Sequence, residues 1–239
     1  DTVGGRILPL RAGGISVISL GFLLDDTDDA VIWRGPMKAG VIRQLLSEVE
    51  WGPLDILVVD CPPGTGDEPL SIVQLLPERR HALVVTTPQE VAASDVRRSL
   101  TFCRKLSLPV LGVVENMSGF TCPHCGTVTD IFKSGGGRKT ADSFGVPFLG
   151  KLPIDPAIAD SGDSGTPFSR HVESMAAAAA IGEIIKPVLA LLEAKTVNDK
   201  EKINMRIAIP TAGGKLCSHF GHCEKFAIIE IDIETKTVT

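Results

Sequence analysis

The chain has 239 residues, 44% hydrophobic and 22% charged, which excludes wholesale disorder and allows one large core with room for part of a second. Its net charge of -5 comes without any basic block, so no nucleic-acid partner is expected. Six cysteines are too few for a disulfide scaffold and point to a reducing compartment, the cytoplasm, with cysteine used for metal or redox chemistry.

Ile15 to Leu24 is a short apolar run whose periodicity fits a strand or a buried turn of helix. Met37 to Val49 has Val41, Leu45, Leu46 and Val49 at helical spacing. Trp51-Gly52-Pro53 breaks the chain, and Leu54 to Asp60 reads as a buried parallel strand ending in an acid. A Pro/Gly loop follows, with Asp67 as N-cap of a helix over Glu68 to Leu76. Strands are expected at Ala82–Thr86, Val110–Glu115 and Pro147–Gly150. Helices are expected at Gln89–Leu106, from Ser134-Gly135-Gly136-Gly137 to near Gly145, and at His171–Lys195, where Pro187 kinks or splits the last one. Ser118 to Ile131 reads as a loop. Alternating strands and helices argue for an α/β fold with a doubly wound, mostly parallel sheet.

Residues 1–196 are taken as one domain, 197–204 as a polar linker, and 205–239 as the start of a second small α/β domain, with strands at Arg206–Pro210 and Phe226–Ile233. No membrane span is expected, because Met175 to Leu192 is interrupted by Glu183 and Lys186 with Pro187 beside them. No secretory signal is visible. Asp1 is not an initiator methionine, so the sequence reads as processed or as a piece of a longer chain.

A buried strand that ends in Asp60 and runs into Pro62-Pro63-Gly64-Thr65-Gly66 suits a Walker B site. The strand aims the carboxylate at the sheet edge where ligands of open α/β sheets bind, and there it can order the water shell of Mg²⁺ on a triphosphate. Gly64 and Gly66 let backbone N–H groups approach a γ-phosphate. The plainer alternative is a tight connection with Asp60 capping a turn. No G-x-x-x-x-G-K-[ST] occurs; Gly135-Gly136-Gly137-Arg138-Lys139-Thr140 has the wrong spacing and does not follow a strand.

Cys122-Pro-His-Cys125-Gly126 has three readings: a redox dithiol, a metal knuckle, or two unligated thiols. A redox dithiol needs Cys122 at a helix N-terminus, and the β-branched stretch after Gly126 does not favour a helix. A knuckle fits better, since glycine after the second cysteine lets two thiolates converge on one ion or cluster. It supplies two ligands where zinc or a cluster takes four. His124 is expected to point away, and Cys61 and Cys103 belong to other elements. A twofold dimer would complete a Cys₄ site.

Several runs in one consistent order resemble the Mrp-type iron–sulfur cluster carriers, P-loop ATPases related to MinD and ParA. They are Trp33–Gly40 (WRGPMKAG), Asp55–Glu68 (DILVVDCPPGTGDE), Thr86–Val91 (TTPQEV), Val113–Phe120 (VVENMSGF) and Cys122–Gly126 (CPHCG). The resemblance covers about residues 4 to 190. It implies a homodimer with Cys122 and Cys125 holding a bridging [4Fe–4S] cluster, delivered to apo iron–sulfur proteins with ATP hydrolysis coupled to transfer. It also implies Asp60 as the Walker B acid beside Mg²⁺, Gly64 to Asp67 as the γ-phosphate switch, and Asn116 on the adenine of ATP. By the same resemblance, the first strand, a deviant Walker A loop with two lysines and the first switch would lie before Asp1, so this chain by itself is expected to bind and hydrolyse ATP poorly.

From Met205 the sequence resembles the start of the dinitrogenase iron–molybdenum cofactor-binding domain, with Cys217, His219, His222 and Cys223 as candidate contacts to an iron–sulfur-type cofactor. Two functions compete with the carrier: a zinc-stabilised, nucleotide-binding regulatory scaffold of the MinD/ParA type, and a thiol oxidoreductase.

Overall fold

Strands and helices alternate through the middle of the chain, as the apolar patterning requires. The computed structural model describes residues 2–3, 5–12, 14–23, 35–76, 80–122, 124–165, 177–196, 206–212, 215–216 and 225–230. The elements begin with β1 (Thr2–Val3), β2 (Arg6–Ile7), β3 (Leu10–Ala12), β4 (Ile15–Val17), α1 (Gly35–Ser47) and α2 (Asp67–Leu75). There follow β5 (Ala82–Thr86), α3 (Glu90–Lys105), β6 (Val110–Glu115), β7 (Phe120–Thr121), β8 (Val128–Thr129), α4 (Gly136–Phe144), β9 (Phe148–Lys151) and α5 (Pro156–Ser164). The chain closes with α6 (Ala177–Thr196), β10 (Arg206–Ala212), β11 (Lys215–Leu216) and β12 (Lys225–Glu230). Two compact units result: Asp1–Leu75 with Ala159–Arg170 and Asp199–Thr239, and Leu76–Ile158 with His171–Asn198.

The second unit is built on a parallel sheet in the order β5-β6-β9, which confirms the α/β class. Successive side chains of a strand point to opposite faces, and Val113 and Val114 are both buried, so β6 is covered on both faces. On one side Val84 and Val113 meet Val96 and Leu100 of α3 and Ala141 of α4. Helix α3 presents Ala93, Val96, Leu100 and Cys103 inward at helical spacing, with Glu90 in its first turn and Arg104 and Lys105 in its last, matching the helix dipole. Gly145 closes α4 in the left-handed conformation, its N–H reaching Ala141 O. Helix α6 packs on β9 and β6, and it runs through Pro187 without splitting.

In the first unit Ile18, Leu45, Val49 and Trp51 form a core, with Ile7, Val41, Leu54, Leu57 and Val59 against it. Full burial of each large aliphatic side chain contributes roughly 1.5–3 kcal/mol. Trp51 Nε1 donates to Leu45 O at 3.1 Å, which satisfies the indole at the end of α1. Ile15 to Leu24 resolves into β4 and a 3₁₀ turn at Leu20–Leu23.

One expectation is corrected. Residues 56–60 are not a strand; only Leu54 and Asp55 form isolated bridges. Strand conformation needs a ladder, and among the described residues none forms along 56–60, so the apolar character of this run is used for burial alone. Ile56 is buried, and Leu57 and Val59 line the core. The cysteine loop also holds more order than expected, because β7 and β8 pair inside it. Helix α5 lies where no helix was expected; Asp155 Oδ1 accepts the Ala157 N–H at 3.0 Å, beside Pro156 in its first turn.

Strands β10 and β12 pair antiparallel, Arg206 opposite Glu230 and Thr211 opposite Lys225. The 197–204 linker and Cys217, His219, His222 and Cys223 lie outside the described residues.

Candidate functional site

The residues singled out from the sequence fall into two groups, Asp60, Gly64 and Asp67 in the first unit and Asn116, Cys122 and Cys125 in the second.

In the first group, Asp60 ends the apolar run and is largely withdrawn from water. Burial pushes its carboxyl up to about 7. Among the described residues no donor or cation offsets that cost, which leaves a carboxylate suited to a cation supplied from outside. Beyond it the loop is exposed from Pro63 to Asp67. Gly64 takes a φ of 97°, a left-handed conformation that glycine adopts without strain, and a Cβ there would meet nothing within 4 Å. Backbone there is open to an approaching anion.

Asp67 is the first residue of α2, not the residue before it, and Glu68 follows in the same turn. Both acids reach α1. Asp67 Oδ2 lies 2.6 Å from where a Cβ on Gly35 would stand, so a side chain at that helix start would have to displace the Asp67 carboxylate. Lys38 Nζ lies 2.5 Å from Glu68 Oε1. Gly35 to Gly40 of the WRGPMKAG run is thus held against the DE pair that closes PPGTGDE; Trp33 and Arg34 lie outside the described residues.

In the second group, Asn116 follows β6 directly. Its N–H donates to Thr86 O at 2.7 Å, and its Oδ1 accepts the Met117 N–H at 2.9 Å. The side chain is therefore oriented by its own loop through Oδ1. Met117 takes a φ of 55° to make this turn.

Glu115, beside it, was passed over in the sequence. It is fully buried at 0% exposure. Its Oε1 accepts from Ser118 Oγ at 2.6 Å and from the Gly135 N–H at 2.9 Å. Its Oε2 accepts the Gly137 N–H at 2.6 Å, and Lys151 Nζ stands 3.8 Å from Oε1. Burial pushes this carboxyl up, but the Ser118 hydroxyl, the two amides and Lys151 together hold it below its usual value. The N-terminus of α4 thus carries an anion from its own chain. Two of the GGGRKT amides, those of Gly135 and Gly137, are thereby engaged by a carboxylate of the chain itself. Gly136 and Gly137 serve packing, since a Cβ on Gly136 would fall 2.3 Å from Pro88 O and one on Gly137 2.9 Å from Glu115 Cβ. A strand-ending acid was the available signal, the same one that marked Asp60.

Cys122 and Cys125 sit at the tip of the β7–β8 hairpin, where Phe120 pairs with Thr129 and Thr121 with Val128. The Cys122 N–H donates to Thr127 O at 3.0 Å and the Gly126 N–H to Cys122 O at 2.9 Å, which folds the turn back, and the Cys122 and Cys125 thiols come within hydrogen-bonding reach of each other. Gly126 makes that turn at a φ of 70°. Cys125 Sγ is 3.3 Å from Thr127 Oγ1. The Thr127 hydroxyl, then its amide and the Cys122 thiol, hold the Cys125 thiol below its ordinary value. His124 is exposed. Cys122 follows a strand instead of opening a helix, so it lacks the helix dipole that activates a dithiol oxidoreductase. Among the described residues no cluster of three or more His, Cys, Asp or Glu could hold a metal ion, so the tip has two thiols and no third such side chain beside them among those residues. Around the tip, Val128 and Ile131 are exposed by 65% and 54%.

The family profile described as NUBPL iron-transfer P-loop NTPase matches residues 1–189. The profile described as dinitrogenase iron-molybdenum cofactor matches residues 204–238. The cytosolic Fe-S cluster assembly factor NUBP2 of Homo sapiens is 51% identical over 181 residues, covering 75% of this chain and 67% of that protein. A NUBP2 homolog of Monosiga brevicollis is 53% identical over 180 residues, covering 74% and 63%. Among solved structures, a nucleotide-binding protein from Archaeoglobus fulgidus in complex with ADP is 36% identical with a TM-score of 0.58, covering 70% of this chain and 64% of that one. The chain spans about two thirds of the length of these relatives. No helix among the described residues is long and apolar enough to cross a membrane.

Proposed function

The chain belongs to the NUBPL iron-transfer P-loop NTPase family, and we propose that it is part of a cytoplasmic iron–sulfur cluster carrier. In this reading Cys122 and Cys125 from each of two copies hold a [4Fe–4S] cluster, which is cargo passed on to apo iron–sulfur proteins. Asp60 takes the Mg²⁺ of bound ATP, Gly64 to Asp67 respond to the γ-phosphate, and Asn116 donates to the adenine. ATP hydrolysis in the whole protein is coupled to release of the cluster.

The observation that carries the proposal is the cysteine hairpin. Two converging thiols stand on an exposed tip, one of them with its thiolate favoured, and the chain supplies no third ligand there among the described residues. Two such tips meeting across a twofold axis supply four thiolates. Exposed Val128 and Ile131 beside the tip suit an interface with a second copy. Asp60 fits a metal-bound nucleotide because its carboxyl, largely withdrawn from water, has no counter-charge among the described residues, and the open backbone at Gly64 fits a phosphate.

The test is anaerobic reconstitution with iron and sulfide. A broad absorbance in the blue that disappears in Cys122→Ser supports the carrier. Tight zinc binding without cluster uptake supports the regulatory scaffold instead, and reduction of insulin by the dithiol supports an oxidoreductase.

A further inference from the structure

Between Asn116 and Cys122 lie five residues, and they are pinned at both edges. The Ser118 N–H donates to Leu152 O at 2.9 Å, the Leu152 N–H to Glu115 O at 2.8 Å, and the Ile154 N–H to Gly119 O at 2.8 Å. Phe120 then bridges Ile154 and enters the hairpin stem. Glu115 ties this segment to the sheet and to α4 together. Its carboxylate grips Ser118 on one side and the Gly135 and Gly137 amides on the other, in full burial.

We infer that Glu115 is a positioning residue that holds the Asn116–Gly119 turn and the cysteine hairpin as one body, so that the orientation of Asn116 and the placement of Cys122 are set together. The roles of Asn116 and Cys122 in this statement rest on the proposed function; the mechanical link does not. Buried hydrogen bonds to a carboxylate are shorter and stronger than neutral ones, and three donors on one group, with the Lys151 charge 3.8 Å away, favour a single geometry. A nucleotide base pressing on Asn116 would therefore meet a turn whose next fixed point, Ser118, is bonded to the same carboxylate that seats α4. The hairpin stem starts two residues later.

Amide hydrogen exchange of the full chain, read by NMR, tests the link. Ser118→Ala removes the hydroxyl and leaves Glu115 on α4. We expect exchange at the Met117 and Cys122 amides to quicken about tenfold while Val113, in the strand, keeps its rate. Ser118→Thr, which keeps the hydroxyl, restores the wild-type pattern. Glu115→Leu removes both acceptor oxygens, gives the same local loss and also frees the Gly135 and Gly137 amides; should that variant not fold, the Ser118 pair decides. Titration with Co²⁺ alone, followed by the thiolate-to-cobalt charge-transfer band, is expected to show about tenfold weaker binding in Ser118→Ala, as when the support of a metal ligand is lost. Unchanged exchange at Met117 and Cys122, acceleration shared equally with Val113, or no rescue by threonine overturns the inference. If the wild-type chain gives no cysteine-dependent cobalt band, the carrier reading fails, and the exchange rates still decide the role of Glu115.

Discussion

Lys38 Nζ stands 2.5 Å from Glu68 Oε1, joining the first turns of α1 and α2. Burial pushes the Glu68 carboxyl up, but the Lys38 hydrogen bond, a backbone N–H and the Lys38 charge bring it below the usual 4.5. A lowered carboxyl contributes stability that is present above pH 4.5 and lost as pH falls through the folded-state value. Lys38 is 43% exposed, so solvent screens the pair. We expect Lys38→Met to cost only about 0.5–1 kcal/mol at neutral pH. Urea denaturation should show the difference from wild type shrinking as pH falls well below 4.5, and shrinking in high salt.

Asp60 has the opposite sign. Its carboxyl is raised from 3.8 to about 7, so the folded chain loses stability as pH rises through that window. The full shift corresponds to an upper bound of about 4 kcal/mol. Asp60→Asn should therefore raise the thermal midpoint at pH 7 and leave it nearly unchanged near pH 4, while nucleotide-dependent function is lost. Thermal melts of both chains across this range check it. A variant less stable than wild type at pH 7 contradicts an Asp60 carboxyl raised by burial with no partner among the described residues.

Two glycines should respond differently to alanine. At Gly136 a Cβ falls 2.3 Å from Pro88 O, a contact with backbone that cannot swing away. At Gly64 the space is open and only the φ of 97° opposes a side chain. Gly136→Ala is expected to cost about 3 kcal/mol and Gly64→Ala about 1 kcal/mol, measured by chemical denaturation.

Much of the second unit was legible because its strands are continuous apolar runs and α3 repeats Ala93, Val96, Leu100 and Cys103 at helical spacing. What failed was inference from pattern to pairing. Leu54 to Asp60 has the composition of a central strand, yet composition specifies burial and not a ladder, and no ladder forms along 56–60 among the described residues. The strands β7 and β8 are two residues each, too short for any period to register. Helix α5 was hidden by glycine and serine, although Asp155-Pro156 is a helix-start signal. The two acids at run ends show the same limit at the site. Asp60 and Glu115 look alike in sequence, but Glu115 is satisfied by Ser118, Gly135 and Gly137, whereas Asp60 has no such donors among the described residues. Which acid is structural and which is open to a ligand depends on residues 20 positions away, at Gly135, that no local motif connects to Glu115.

The central claim is that the cysteine hairpin supplies half of a shared site. The direct measurement is iron and sulfide per chain together with particle mass, on anaerobically reconstituted protein separated by size. The account predicts half a [4Fe–4S] cluster per chain, found only in the particle of two chains, with both cluster and dimer lost in Cys122→Ser and in Cys125→Ser. A full cluster on a single chain, or a cluster that survives both substitutions, would contradict it.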